Sequence, residues 1–220
     1  MPSVDGEIKA QKRVIDWLTD DLDYIYMGKL DEQENEPIKS KYLRENLIKR
    51  GYTKEQIGSA ISKLSRAAGN QVDSLYQVNK NVYHLLRYGI DVKGSNNTRP
   101  TLWFIDWDNP ENNDFHVAEE VTVLKSDGES RKRPDLVIYV NGIALGMFEL
   151  KRSSVSAGEG IRQLLQNQKD ENIESFFTTE QLLFAGNESE GLYYGTIKTP
   201  QKFYVQWKED KKTNDDLSAS

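Results

Sequence analysis

The feature that most constrains this chain is a change of hydrophobic period at about Gly94. Before that point apolar residues recur at the three-to-four spacing of helices, and after it they fall into short alternating runs, as in strands. In the first half Ile8, Val14, Ile15, Leu18 and Leu22 predict one helix, with Gly28 as its break. Residues 31–37 are polar and acidic and read as a loop. Leu43 and Leu47 suit a second helix ending at Gly51. Thr53 followed by Gln56 makes a capping box for a third, lined by Ile57, Ile61 and Leu64. Leu75, Val78, Val82 and Leu85 form a fourth stripe that stops near Gly89.

In the second half residues 101–107 and 117–125 are strand candidates. Residues 135–140 and 143–150 flank Asn141-Gly142, a two-residue sequence that favours a tight hairpin. Ile161, Leu164, Leu165 and Gln168 describe a helix, and three further strands are expected at 182–185, 192–197 and 202–207. No linker or internal repeat interrupts the pattern. The expected architecture is one α/β domain over residues 1–208, with 1–95 mainly helical, 96–208 a strand-rich core and 209–220 a polar tail.

Composition narrows the chemistry. The chain has no cysteine, which excludes disulfides and thiolate metal sites, and only two histidines, His84 and His116. A catalytic metal would therefore rest on oxygen ligands, which points to magnesium or manganese. A net charge of -6 argues against a protein that coats DNA along its whole surface. Locally, Lys125, Arg131, Lys132, Arg133, Lys151, Arg152, Arg162 and Lys169 make a more basic stretch, either a binding patch or a solvated face. No apolar run is long enough to span a bilayer and the first residues lack a signal-peptide pattern, so no membrane partner and a cytoplasmic location are expected.

The chemistry centres on the hairpin. Asp135 opens its first arm and Glu149 stands near the end of the second, so an antiparallel return brings the two acids together. Strand period places Glu149 and Lys151 on one face, with Leu150 turned the other way. Two carboxylates beside an ammonium group suit a divalent cation with a water-orienting lysine, and the Leu150 backbone carbonyl is a further available oxygen. The alternative is a solvent-facing salt bridge from Glu149 to Lys151 or Arg152. The flanking runs 136–138 and 144–148 are apolar enough for internal strands, and an acid ending a buried strand needs a partner or a metal. His116, close to Asp114, is a candidate base or a structural histidine. Trp103, Phe104 and Trp107 suit base stacking or core packing, and Tyr193, Tyr194, Phe203, Tyr204 and Trp207 suit the core.

Pro134-Asp135 with Glu149-Leu150-Lys151 resembles the signature of the restriction-endonuclease-like nucleases, written PD-(D/E)xK. More widely, residues 133–153 resemble the N-terminal nuclease domain of the restriction (R) subunit of type I restriction-modification enzymes. Further matches follow in the same order: Glu159-Gly160-Ile161-Arg162-Gln163, Phe184-Ala185-Gly186-Asn187, Tyr194-Gly195-Thr196-Ile197 and Gln206-Trp207-Lys208. Upstream, Leu85-Leu86-Arg87-Tyr88-Gly89 and Trp107-Asp108-Asn109-Pro110 also fit, so the resemblance covers roughly residues 5–210.

The resemblance implies a restriction-endonuclease-like mixed β-sheet core flanked by helices, with an N-terminal helical elaboration. It implies Asp135 and Glu149 as metal-binding acids, Lys151 assisting water and phosphate, and Glu7 as an acid approaching the metal from the first helix. The family's glutamine is matched by Gln163, but Asn167 stands where a tyrosine would follow four residues later. Arg133, Arg152 and Arg162 are the candidate DNA contacts. Implied partners are Mg2+ (or Mn2+), double-stranded DNA, and methyltransferase and specificity subunits. ATP would serve only motor domains, for which these 220 residues have neither the phosphate-loop motif nor the room. The chain is accordingly expected to be an N-terminal fragment of a larger protein or a truncated product. The rival readings are a repair or junction nuclease of the same superfamily, and a degenerate nuclease fold that binds DNA as a scaffold.

Overall fold

The structure, a computed structural model, describes residues 5–32, 34–94 and 98–208. The polar tail expected at 209–220 lies outside the described residues. Helix α1 (Asp5–Asp16) runs into a π-helical turn at Trp17–Asp21 and then into strand β1 (Ile25–Lys29). Helices α2 (Ser40–Lys49), α3 (Lys54–Ala68) and α4 (Leu75–Tyr88) follow, and short strands β2 (Ile90–Asp91) and β3 (Thr101–Leu102) pair with each other. Then come β4 (Phe115–Glu119), β5 (Val123–Leu124), β6 (Arg131–Lys132), β7 (Leu136–Val140) and β8 (Ile143–Leu150). Helix α5 (Ala157–Asn167) crosses to β9 (Leu182–Asn187), β10 (Gly191–Gly195) and β11 (Val205–Gln206).

Seven strands form one mixed sheet in the order β1-β4-β7-β8-β9-β10-β11. The β1–β4 and β8–β9 pairs are parallel and the other four are antiparallel. This is the expected α/β architecture. One sheet face packs Val117, Leu136, Phe148 and Leu150 against Ala10, Ile15 and Leu18 of the α1 region. The other packs Val137, Tyr139, Met147 and Ala185 against Ile161 and Leu164 of α5. The α2–α4 bundle has its own core, which takes in Val140 and Ile143 on either side of the hairpin turn.

The capping box at Thr53 and Gln56 forms as expected, each side chain bonding the other residue's backbone N–H. The Asn141-Gly142 turn also forms, with φ of 52° and 81°, the left-handed pair that a two-residue turn requires. A Cβ on Gly142 would lie 2.8 Å from the Lys39 carbonyl oxygen, so the turn is seated directly against α2.

Four local expectations are corrected. Gly28 does not end a helix; it lies inside β1, which escaped notice because Ile25 and Tyr26 are both exposed and the strand has no in-out alternation. Only Thr101–Leu102 of residues 101–107 is strand. Beyond it the Asn113 side chain accepts from the Asp106 N–H and donates to the Asp106 carbonyl, replacing a ladder. Residues 117–125 split at Glu120, whose φ of 53° turns the chain out of the sheet. Residues 201–203 form a 3-10 turn after Pro200, leaving Val205–Gln206 as the last strand. Phe203 and Trp207 are accordingly exposed, while Tyr204 is buried. Among the described residues no helix is long and apolar enough to cross a membrane.

Candidate active site

The two hairpin acids lie at the open end of β7–β8, away from the turn. β7 pairs with β8 in a register that sets Leu136 opposite Phe148, so Asp135 and Glu149 end adjacent strands. Asp135 is 8% exposed, and its Oδ2 accepts the Leu150 backbone N–H at 2.6 Å. The Asp135 carboxylate is thereby fixed to the strand that carries Glu149 and Lys151.

Glu149 is fully buried, on the α5 face of the sheet. Its Oε1 accepts from the Asn167 amide at 3.3 Å, and its Oε2 lies 3.6 Å from the Lys151 amine without a hydrogen bond. Lys151 also lies 3.6 Å from Glu7 of α1, so it sits between two acids from different elements. Leu150 turns the opposite way, into the α1 core. A solvent-facing salt bridge is therefore the wrong description of Glu149 and Lys151. The α5 approach depends on Gly160, where a Cβ would come 2.8 Å from the Glu149 carbonyl oxygen. Asn167 follows two turns later on the same helical face. It is buried, and its Oδ1 has no hydrogen-bond partner among the described residues.

Electrostatics set these groups apart. Burial pushes the Asp135 carboxyl up to about 6, against the opposing effects of the Leu150 N–H and the Lys151 charge. The nearby charges of Glu7 and Glu120 push it the same way as burial. Burial, and then the Asp135 charge, raises Glu149 well above the usual carboxylate range, with Lys151 opposing. Two buried acids thus hinder each other's ionisation around a single ammonium group. A divalent cation fits this deficit of positive charge. Among the described residues no group of three or more His, Asp or Glu side chains is placed to hold a metal. The ion would therefore rest on two carboxylates, a backbone oxygen and water, a set suited to magnesium.

Asp135 reaches solvent through a cleft of about 900 Å3, lined also by Glu7, Lys12, Lys29, Glu120 and Arg133. Arg133 is engaged by Glu120 at 2.7 Å. Arg152 is half-buried, close to Gly6 at the start of α1, and has no ion pair among the described residues. Arg162 is exposed, paired with Glu159 at 2.5 Å and bonded to Gln201, away from the acids. Gln163 is half-buried and makes no hydrogen bond among the described residues, so Asn167 alone of that pair contacts an acid. His116 is buried edge-on to Tyr42 in mid-sheet, where burial lowers its pKa. Glu120, which holds Arg133, was not singled out by the sequence, and neither were Lys12 and Lys29 of the cleft. The signal for Glu120 is the Glu119-Glu120 pair, which breaks the alternation of the run at 117–125.

Comparison with known proteins gives a consistent answer. The family model for the type I restriction enzyme R protein N terminus matches residues 7–202. A putative type I restriction enzyme MjaIXP endonuclease subunit of Methanocaldococcus jannaschii is 30% identical over 144 residues, 62% of this chain and 13% of that protein. The type I restriction enzyme SsaAORF53P endonuclease subunit of Staphylococcus saprophyticus is 28% identical over 134 residues, 59% of this chain and 14% of the relative. The HindI endonuclease subunit of Haemophilus influenzae is 26% identical over 155 residues, 67% of this chain and 14% of the relative. The matched stretch thus spans only 13–14% of the length of these curated relatives.

Proposed function

This chain belongs to the family of type I restriction enzyme R protein N termini, and from that premise we propose that it is a metal-dependent DNA endonuclease domain. The observation that carries the proposal is the coupled pair of buried acids, Asp135 and Glu149, with Lys151 held 3.6 Å from an otherwise unpartnered Glu149 oxygen. A buried carboxylate oxygen without a hydrogen bond is costly, and the site gains a use for it when a cation is bound.

Asp135 and Glu149 would hold the ion in their ionised forms, with the Leu150 carbonyl as a third protein oxygen. When bound, magnesium supplies charge stabilisation at the phosphate and a water of lowered pKa. Water oxygen adds to phosphorus as it gives up a proton to bulk solvent, the bridging P–O bond breaks, and the leaving oxygen takes up a proton from solvent. Lys151 orients the water and offsets charge on the phosphate oxygens, and Glu7 steadies Lys151 from α1. Asn167 holds one Glu149 oxygen and leaves the other free for the ion. Arg133, once released from Glu120, and Arg152 would meet the DNA backbone, and Arg162 would serve farther out on α5. In the complete enzyme the domain would act in the cytoplasm on double-stranded DNA. Its partners would be an ATP-driven motor and the methyltransferase and specificity subunits.

Plasmid cutting by an R subunit carrying Asp135→Ala or Lys151→Ala tests this. Cutting at the unmodified rate rejects the assignment. Calorimetric titration of the 220-residue chain with manganese is the complementary measurement. Binding that ignores Asp135→Ala and Glu149→Ala would leave a scaffold rather than a nuclease.

A further inference from the structure

Helix α4 carries a second stripe that the acid site does not use. Its buried side is Leu75, Val78, Val82 and Leu86. On the opposite side Tyr76, Lys80, Tyr83, His84, Arg87 and Tyr88 recur at the spacing of one helical face, and all are exposed. The helix contains no aspartate or glutamate, in a chain whose net charge is -6.

These side chains form a continuous run. Ring centroids of Tyr83 and His84 are 6.0 Å apart, and those of His84 and Tyr88 are 5.6 Å apart. The Arg87 guanidinium lies 5.9 Å from the Tyr88 ring and 5.4 Å from that of Trp107. Trp107 is fixed at the helix end because its indole N–H donates to the Leu86 carbonyl at 3.0 Å, yet it remains 46% exposed. Beyond it a pocket of about 650 Å3 opens, lined by Arg87, Trp107, Trp103, Tyr52 and Arg50 among others. Lys80 and Arg87 have no ion pair among the described residues, whereas Arg50 is tied to the Trp103 carbonyl and lies near Asp106.

Exposed ring faces interleaved with unneutralised cations suit unpaired bases and their phosphates, since every base has a face to stack. Protein-contacting patches are also rich in tyrosine, tryptophan and arginine; what favours a polyanion here is that α4 carries Lys80 and Arg87 with no acid. Asp106 and Asp108 also line the pocket, so phosphates belong along α4 and a base belongs in the pocket. We propose that the outer face of α4, with the Trp107 pocket, binds single-stranded DNA. The site is separate from the acids: Val82 and Leu86 pack in the core that holds the turn end of the hairpin, and the acids stand at its other end. That the polymer is DNA rests on the function proposed above; the surface itself does not.

The test is fluorescence anisotropy of a labelled oligothymidylate with the 220-residue chain in EDTA, so that no metal chemistry contributes. Tyr88→Ala and Arg87→Gln are each expected to weaken binding about tenfold. Arg87→Gln should also lower the salt dependence by slightly less than one unit of the log–log slope. Phe203→Ala, which removes an exposed ring elsewhere, should change nothing. Absence of binding, or binding indifferent to the α4 variants, overturns the proposal and leaves this face to a protein partner. Loss of binding in those variants alongside a failed Asp135 cleavage test would uphold this surface and sink the nuclease assignment.

Discussion

The two ends of the β7–β8 hairpin bury polar side chains in opposite ways. At the turn, Asn141 is fully buried and fully used: its amide donates to the Phe104 carbonyl and the Asn113 side chain, and its oxygen accepts the Asp114 N–H, all at 2.8 Å. At the open end Glu149 and Asn167 are equally buried, yet among the described residues Glu149 Oε2 and Asn167 Oδ1 have no hydrogen-bond partner. A saturated buried group holds the fold together, and an unsaturated one is free to take a ligand. Glu180 shows that unsaturation alone is insufficient. It too is fully buried, with both oxygens unpartnered among the described residues, and it lies near the Tyr139 hydroxyl, but no second acid or cation among those residues shifts it. What distinguishes the open end is the combination of coupled acids, an ammonium group and a cleft.

The largest test of that contrast is chemical. Asp135→Asn or Lys151→Ala should lower DNA cleavage by about a thousandfold or more, the scale of losing a principal charge-stabilising group. The thermal midpoint of Asp135→Asn should not fall, because a buried charge has been removed. At the turn end the pattern should reverse. Asn141→Ala strands three backbone or side-chain partners and should cost about 2–3 kcal/mol in denaturant unfolding, with little effect on cleavage by the folded protein.

An intermediate effect is expected at Asn167. Asn167→Ala removes an N–H donor from the ionised form of Glu149, so its pKa rises further and the acidic limb of the pH–rate profile moves to higher pH. Cleavage at neutral pH should fall about tenfold, by analogy with other supporting residues around metal ligands. An unshifted limb would make Asn167 merely structural.

Smaller effects concern stability and pH. Asp135 is raised from 3.8 to about 6, and Glu149 is raised as well. Folding therefore favours their protonated forms. Their contribution is complete below the unfolded value, about 4, and is lost as pH rises through 6 and beyond. The metal-free thermal midpoint should fall across that window, and magnesium should restore it by binding the ionised pair. The smallest change is expected for Glu180→Gln: unaltered cleavage, and a midpoint less dependent on pH because a raised buried acid is gone. If Glu180→Gln abolished cleavage, the division between the two ends would be wrong.

Much of this was legible in one dimension. Helical stripes, the Thr53–Gln56 cap and the Asn141-Gly142 turn depend on neighbours within a few residues, and the turn fixes the register that sets Asp135 beside Glu149. β1 was not legible, because an exposed edge strand carries no alternation. Nor was the end of the strand at Leu102, beyond which the Asn113 side chain takes over the backbone bonds of Asp106, seven residues before it.

The sequence by itself thus determined which residues could bear the chemistry and which strand faces they share, since periodicity is a local property of the backbone. Only the tertiary structure decided that Glu149 is wholly desolvated, that Asn167 reaches it while Gln163 does not, and that Lys151 stands between Glu149 and Glu7. Burial and pairing depend on which distant elements pack together, and no local pattern records that.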